Sequence, residues 1–151
     1  MSQELGPLDA RDVMAWLERI PLSAWPQQHR VDEQLRPAMV NDMDWNDFGR
    51  HTDALVAEIL GHFPGASARN RMLSVVMPGH DIFPHCDAQP PGWLTRVHVP
   101  LVTNDRAVTL TQGQTLHMRA GLAYLVDTRR EHAVRNDGPT PRIHFMVDVH
   151  E

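Results

Sequence analysis

Two histidines, one aspartate and one arginine carry the chemistry of this chain. His85-Cys86-Asp87 is followed 45 positions after Asp87 by His132, and ten after that by Arg142. Two imidazoles and a carboxylate can occupy one face of an octahedral ion and leave three positions open. That is the ligand pattern of non-haem Fe(II) oxygenases. An arginine nearby is the group that would hold a second carboxylate beside the metal. One cysteine, Cys86, leaves no thiolate cluster to make a structural zinc site. The reading from residues alone is therefore an iron-binding enzyme.

Such ligands work only if the backbone presents them together. His85 and Asp87, at i and i+2, project to one face of an extended segment, whereas Cys86 projects to the other and is expected to pack as a small apolar residue. From Arg69 onward short β-rich runs recur at 71–77, 94–102, 107–111, 115–118, 122–127, 132–135 and 142–149. Turn formers such as Pro78-Gly79, Pro90-Pro91-Gly92, Gln112-Gly113 and Asn136-Asp137-Gly138 separate them. Many short strands at this spacing predict a β-sandwich or jelly roll. Alternation puts Arg96, His98 and Pro100 opposite Val97, Val99 and Leu101, and Arg142, His144 and Met146 opposite Ile143, Phe145, Val147 and Val149. A face of Arg and His is either solvated or lines a polar pocket. Candidate ligands on neighbouring strands favour the pocket.

The first third has a different texture. Val13, Trp16, Leu17 and Ile20 follow i, i+3, i+4, i+7 and predict an amphipathic helix over 9–20, stopped by Pro21. A second helix is expected over 45–60, with Asp44 or Asn46 as its cap and Phe48, Leu55, Val56, Ile59 and Leu60 buried. Residues 26–43, with Pro37, read as irregular.

Composition excludes several classes. A chain of 151 residues fits one domain that buries roughly two-thirds of its unfolded surface. A formal charge of −5 and the lack of any Lys/Arg run speak against nucleic acid as a partner. No apolar run approaches the ~20 residues needed to span a bilayer, and the first residues do not read as a secretory signal. A cytoplasmic location is the expectation; the oligomeric state is not readable.

Several motifs in order resemble the aspartyl/asparaginyl β-hydroxylase family. They are Ser74-x-x-x-Pro78-Gly79-His80-x-x-x-Pro84-His85-Cys86-Asp87, then Arg96-Val97-His98-Val99-Pro100-Leu101, then Asp127-x-x-x-x-His132-x-x-x-Asn136-x-Gly138, then Arg142-Ile143-His144. The resemblance covers about 69–149 and implies a mainly β, double-stranded β-helix (a cupin-like jelly roll); the helical part, 1–65, contributes little to it and is expected to pack on that core. It implies an Fe(II)- and 2-oxoglutarate-dependent dioxygenase, a hydroxylase using O2 and yielding succinate and CO2. His85, Asp87 and His132 match the metal ligands. Arg142 matches the arginine that pairs with the distal carboxylate of 2-oxoglutarate, and Ser74 a hydroxyl that assists it. Arg96 and His98 match residues that contact the co-substrate carboxylate nearer the metal. Asp87 completes the triad where some members lack a carboxylate; it also stands where halogenating relatives leave a place for halide, so the resemblance implies hydroxylation over halogenation.

The implied substrate is an amino acid, free or as an aspartyl/asparaginyl-type residue, or a natural-product intermediate. Its selection is expected from the helical third and from the loop at 88–94. Trp93 is a pocket wall or a core aromatic; Arg129 and Arg130 meet a substrate carboxylate or form a solvated turn. His80 and His117 are expected at the surface and His144 in packing. Two alternatives stay open: a cupin-like metal enzyme that does not use 2-oxoglutarate, and a non-catalytic jelly-roll binding module.

Overall fold

The computed structural model describes residues 3–19 and 45–151. It is mainly β, with two antiparallel sheets. The strands are β1 (Gln3–Pro7), β2 (Ser67–Val76), β3 (Asp81–His85), β4 (Trp93–Val102), β5 (Ala107–Thr111), β6 (Gln114–Leu116), β7 (Leu122–Val126), β8 (His132–Asn136) and β9 (Arg142–His150), with helices α1 (Arg11–Glu18) and α2 (Trp45–Leu60). The five-stranded sheet runs β1-β7-β4-β9-β2 and the four-stranded sheet runs β3-β8-β5-β6.

The alternation in β4 and β9 becomes two different environments. Val97, Val99, Phe145, Val147 and Val149, each at 0% exposure, join Leu73, Val75 and Ala123 in one apolar layer. Val13, Trp16 and Leu17 of α1 and Phe48, Leu55, Val56 and Ile59 of α2 close that layer. Trp16 packs on Phe48 with ring centroids 5.3 Å apart, and Phe48 on Phe145 at 6.2 Å. Each large side chain so buried stabilises the fold by about 1.5–3 kcal/mol. Thr52, the polar residue inside α2, satisfies its hydroxyl by donating to the Phe48 carbonyl one turn back, at 2.8 Å. The other face of the same sheet carries Ser74, Arg96, His98, Arg142, His144 and Asp148, all buried, and looks toward the smaller sheet across a narrow cavity.

Seven strands lie where alternation and turns place them. β1 and β3 were not anticipated. β3 holds Pro84, which cannot donate to a ladder. It is accommodated because β3 is the edge strand of the smaller sheet and its register slips between Ile82 and His85. β1 contains Gly6 and Pro7, residue types that disfavour a strand, and it too sits at an edge, pairing with β7 across a bulge between Glu4 and Gly6. Both helices appear, α1 ending at Glu18. Asn46 lies inside the first turn of α2 rather than before it. The alternative cap Asp44 and the irregular stretch 26–43 lie outside the described residues.

The connection from β8 to β9 fixes the two strands that carry His132 and Arg142. Asn136 is fully buried. Its amide donates to the carbonyls of Val76 and Thr140 at 2.9 Å each, and its oxygen accepts from Gly138 N at 3.1 Å and Asn104 Nδ2 at 3.2 Å. A Cβ at Gly138 would fall 1.8 Å from Asn104 Oδ1. Asn104 is itself bonded to Asn136 and Thr140, so it cannot swing away cheaply.

Candidate metal centre

His85 and His132 are register partners on β3 and β8, with ring centroids 4.3 Å apart. Asp87 follows β3, and its backbone N–H donates to the Thr128 carbonyl at 2.8 Å, which ties this segment to the loop before β8. One donor atom from each of His85, Asp87 and His132 lies within 4.8 Å of the others. His85 Nε2 stands 3.3 Å from Asp87 Oδ1.

The tautomers follow from the partners. His85 Nδ1 lies 2.7 Å from the Phe83 carbonyl and His132 Nδ1 lies 2.8 Å from the Arg130 carbonyl. A carbonyl only accepts, so each Nδ1 carries a proton, and Nε2 is the nitrogen each ring has left to offer a metal. That is how metal-binding histidines are oriented. Burial pushes the His132 pKa down, which keeps the ring neutral. Two nitrogen lone pairs and one carboxylate oxygen, with no thiolate among them, fit a divalent ion such as iron.

Two arginines share the polar face and are treated differently. Arg96 is enclosed by carboxylates: Nε and Nη2 donate to the two oxygens of Asp148 at 2.8 and 3.0 Å, and Nη1 donates to Asp87 Oδ2 at 2.8 Å. Asp148 also accepts from Trp93 Nε1 at 3.1 Å and Asn70 Nδ2 at 3.0 Å. Burial would raise the Asp148 carboxyl, but the Arg96 fork and the other donors outweigh it and hold the pKa below the usual range. Arg142 is 2% exposed, and among the described residues its polar partner is Ser74, whose Oγ accepts from Nη1 at 3.2 Å. Burial without a carboxylate pushes its pKa down to about 9.

His98 and His144 meet through their Nδ1 atoms at 3.2 Å, so one ring donates and the other accepts. Burial first, and the Arg142 charge next, hold both well below the ordinary histidine value, so both rings are neutral. His98 Nε2 is buried with no partner among the described residues. Ser74, His85, Arg96, His98, His132 and Arg142 all line one cavity between the sheets, with room for a water centre of about 10 Å³, roughly one water.

The seven residues singled out from sequence thus come together, though Arg96 faces Asp87 and Asp148. Cys86 is exposed rather than packed: burial alternates through this segment, so Cys86 lies on the side opposite His85 and Asp87, and that side is exposed. His117 is exposed and His80 only partly buried. Trp93 is buried in the Asp148 cluster, and Arg129 stacks over it at 5.0 Å while pairing with Asp127 at 2.9 Å. Asp148 and Thr128 were missed. Asp148 continues the i+2 phase of Arg142, His144 and Met146, so the signal was present; Thr128 sits in a loop where no periodicity reports burial.

Comparison with known proteins agrees with this geometry. Residues 38–151 match the family model described as aspartyl/asparaginyl beta-hydroxylase. The L-proline cis-4-hydroxylase of Rhizobium meliloti (strain 1021) is 28% identical over 88 residues, 58% of this chain and 31% of that protein, so the chain spans about a third of that relative's length. A 2OG-Fe(II) oxygenase family oxidoreductase from Burkholderia pseudomallei shares the fold with a TM-score of 0.64 at 17% identity, over 99% of this chain and 84% of that one. AviO1 from Streptomyces viridochromogenes Tue57 gives 0.64 at 14% identity, over 99% and 89%. The collagen prolyl hydroxylase vCPH of Paramecium Bursaria Chlorella virus-1, in its 2OG complex, gives 0.57 at 12% identity, over 98% and 94%. With three-quarters of its length matched to the family model and the motifs in order, the chain belongs to the aspartyl/asparaginyl beta-hydroxylase family.

Proposed function

We propose that this chain is an Fe(II)- and 2-oxoglutarate-dependent oxygenase that hydroxylates an unactivated C–H of an amino acid, free or within a peptide. The observation that carries the reading is Arg142. It is a buried guanidinium with a serine hydroxyl for company, lining the same cavity as His85 and His132. An uncompensated buried charge is costly, and a dianionic ligand supplies what the protein withholds. The names of two relatives, a proline hydroxylase and a collagen prolyl hydroxylase, support an amino-acid or peptidyl substrate. In this reading residues 1–151 form one domain, its core a double-stranded β-helix over 69–149 with the helices packed outside.

His85, Asp87 and His132 would hold iron. With 2-oxoglutarate and O2 the iron would supply the oxidising power that replaces a C–H hydrogen by hydroxyl, leaving succinate and CO2. The protein does the rest. Arg142 anchors the distal carboxylate of 2-oxoglutarate through charge-assisted bonds, and Ser74 adds its hydroxyl. With its proton on Nε2, His98 donates to the carboxylate nearer the metal, and His144 fixes that tautomer by donating from its own Nδ1. The narrow cavity excludes bulk water, so these charges act in a low-dielectric setting. Co-substrate entry requires its walls to move apart.

The test is an anaerobic titration of metal-free protein with Fe(II) and then 2-oxoglutarate, followed by visible absorption. A weak charge-transfer band that needs both, and is lost in His132→Ala, is the expected result. Iron binding without the band overturns the 2-oxoglutarate reading, and no iron binding overturns the oxygenase reading altogether.

A further inference from the structure

We infer that Asp148 and Arg96 form a positioning device for the carboxylate ligand, a role that rests on the metal-centre reading above. Asp87 has two oxygens, and an unrestrained carboxylate offers both to a cation. Here Oδ2 is capped by Arg96 Nη1 at 2.8 Å, while Oδ1 is turned toward His85 Nε2 at 3.3 Å. The cap is itself immobile. Arg96 and Asp148 are register partners on β4 and β9 and meet as a two-pronged fork at 2.8 and 3.0 Å. Asp148 is 0% exposed and held from two further sides by Trp93 and Asn70, so the guanidinium plane is set before any ligand arrives. Asp87 therefore binds through Oδ1 alone. Bidentate binding would take one of the three positions that a chelating co-substrate and oxygen require. Asp148 thus acts on the metal through Arg96 and touches neither metal nor substrate.

The structure separates this role from plain stability. If Asp148 matters to the metal by way of Asp87, its effect on metal affinity must vanish once Asp87 is gone. Full-length wild type, Asp148→Asn, Asp87→Ala and the double variant are titrated with Co(II). Circular dichroism confirms the fold of each, and the visible d–d bands report coordination. Asp148→Asn is expected to weaken Co(II) about 10- to 100-fold and alter the d–d bands, with no further loss in the Asp87→Ala background. Equal losses in both backgrounds, or unchanged affinity and bands in Asp148→Asn, overturn the proposal. Arg96→Gln, run through the same cycle, serves if Asp148→Asn does not fold. Co(II) binding that His85→Ala and His132→Ala leave intact means instead that the metal centre was misassigned, and the positioning role falls with it.

Discussion

The two buried arginines of the polar face show how one sheet surface can carry two jobs. At one end Arg96 is bonded to both Asp148 and Asp87; at the other, among the described residues, Arg142 has a single hydroxyl. Both sit on strands of the same sheet and both are nearly inaccessible. A saturated guanidinium belongs to the protein's own architecture, because its charge was neutralised during folding. An unsatisfied one stores an unfavourable desolvation that a ligand can relieve. The difference separates the part of the cleft that is built from the part that is left to be filled.

The largest expected effect lies between the two ends. His132→Ala should cut iron affinity and turnover by at least about 100-fold, since it removes a ligand rather than a support. Anaerobic iron titration checks this. Asp148→Ala should then destabilise the ligand-free protein by about 3–5 kcal/mol, the usual cost of stranding a buried charge. Arg142→Met should do the opposite in the ligand-free state. Its stability should match or exceed the wild type, because no pair is broken, while Arg142→Ala weakens 2-oxoglutarate by about 2–5 kcal/mol. Denaturant midpoints and co-substrate titration read these effects separately, and a strongly destabilised Arg142→Met would erase the contrast between the arginines.

A milder test uses pH. The Asp148 carboxyl is held below its ordinary range, so its contribution is complete above the unfolded value of about 3.9 and is lost as pH falls through the lower folded value. Asp148→Asn should therefore flatten the acid limb of the stability curve below about pH 4; an unchanged limb would mean that Arg96 does not hold Asp148 ionised. Gly138→Ala, where the added methyl meets Asn104, should cost about 1–3 kcal/mol of stability by denaturant midpoint. It tests whether the β8–β9 connection, which fixes the strands of His132 and Arg142, is as tightly built as its hydrogen bonds indicate.

Much of this arrangement was legible before the fold. Alternation in β4 and β9 separates Val97, Val99, Phe145 and Val147 from Arg96, His98, Arg142 and His144, because neighbouring side chains on a strand must point to opposite faces. The i, i+2 relation of His85 and Asp87 places both donors on one side for the same reason. β1 and β3 were hidden because Gly6, Pro7 and Pro84 argue against strands, and only a sheet edge makes them tolerable. Cys86 does lie opposite His85 and Asp87, but alternation alone could not say that its side is exposed rather than packed.

By itself, then, the sequence determined which residue types share a face, since that depends on the local geometry of an extended chain. Whether that face meets water or a second sheet was decided only by tertiary structure, because α1 and α2 cover the apolar side and the β3-β8-β5-β6 sheet covers the other. Tertiary structure also decided which arginine is paired with carboxylates and which meets only a hydroxyl among the described residues. Asp148 is six residues from Arg142 in sequence, yet cross-strand register with β4 places it on Arg96.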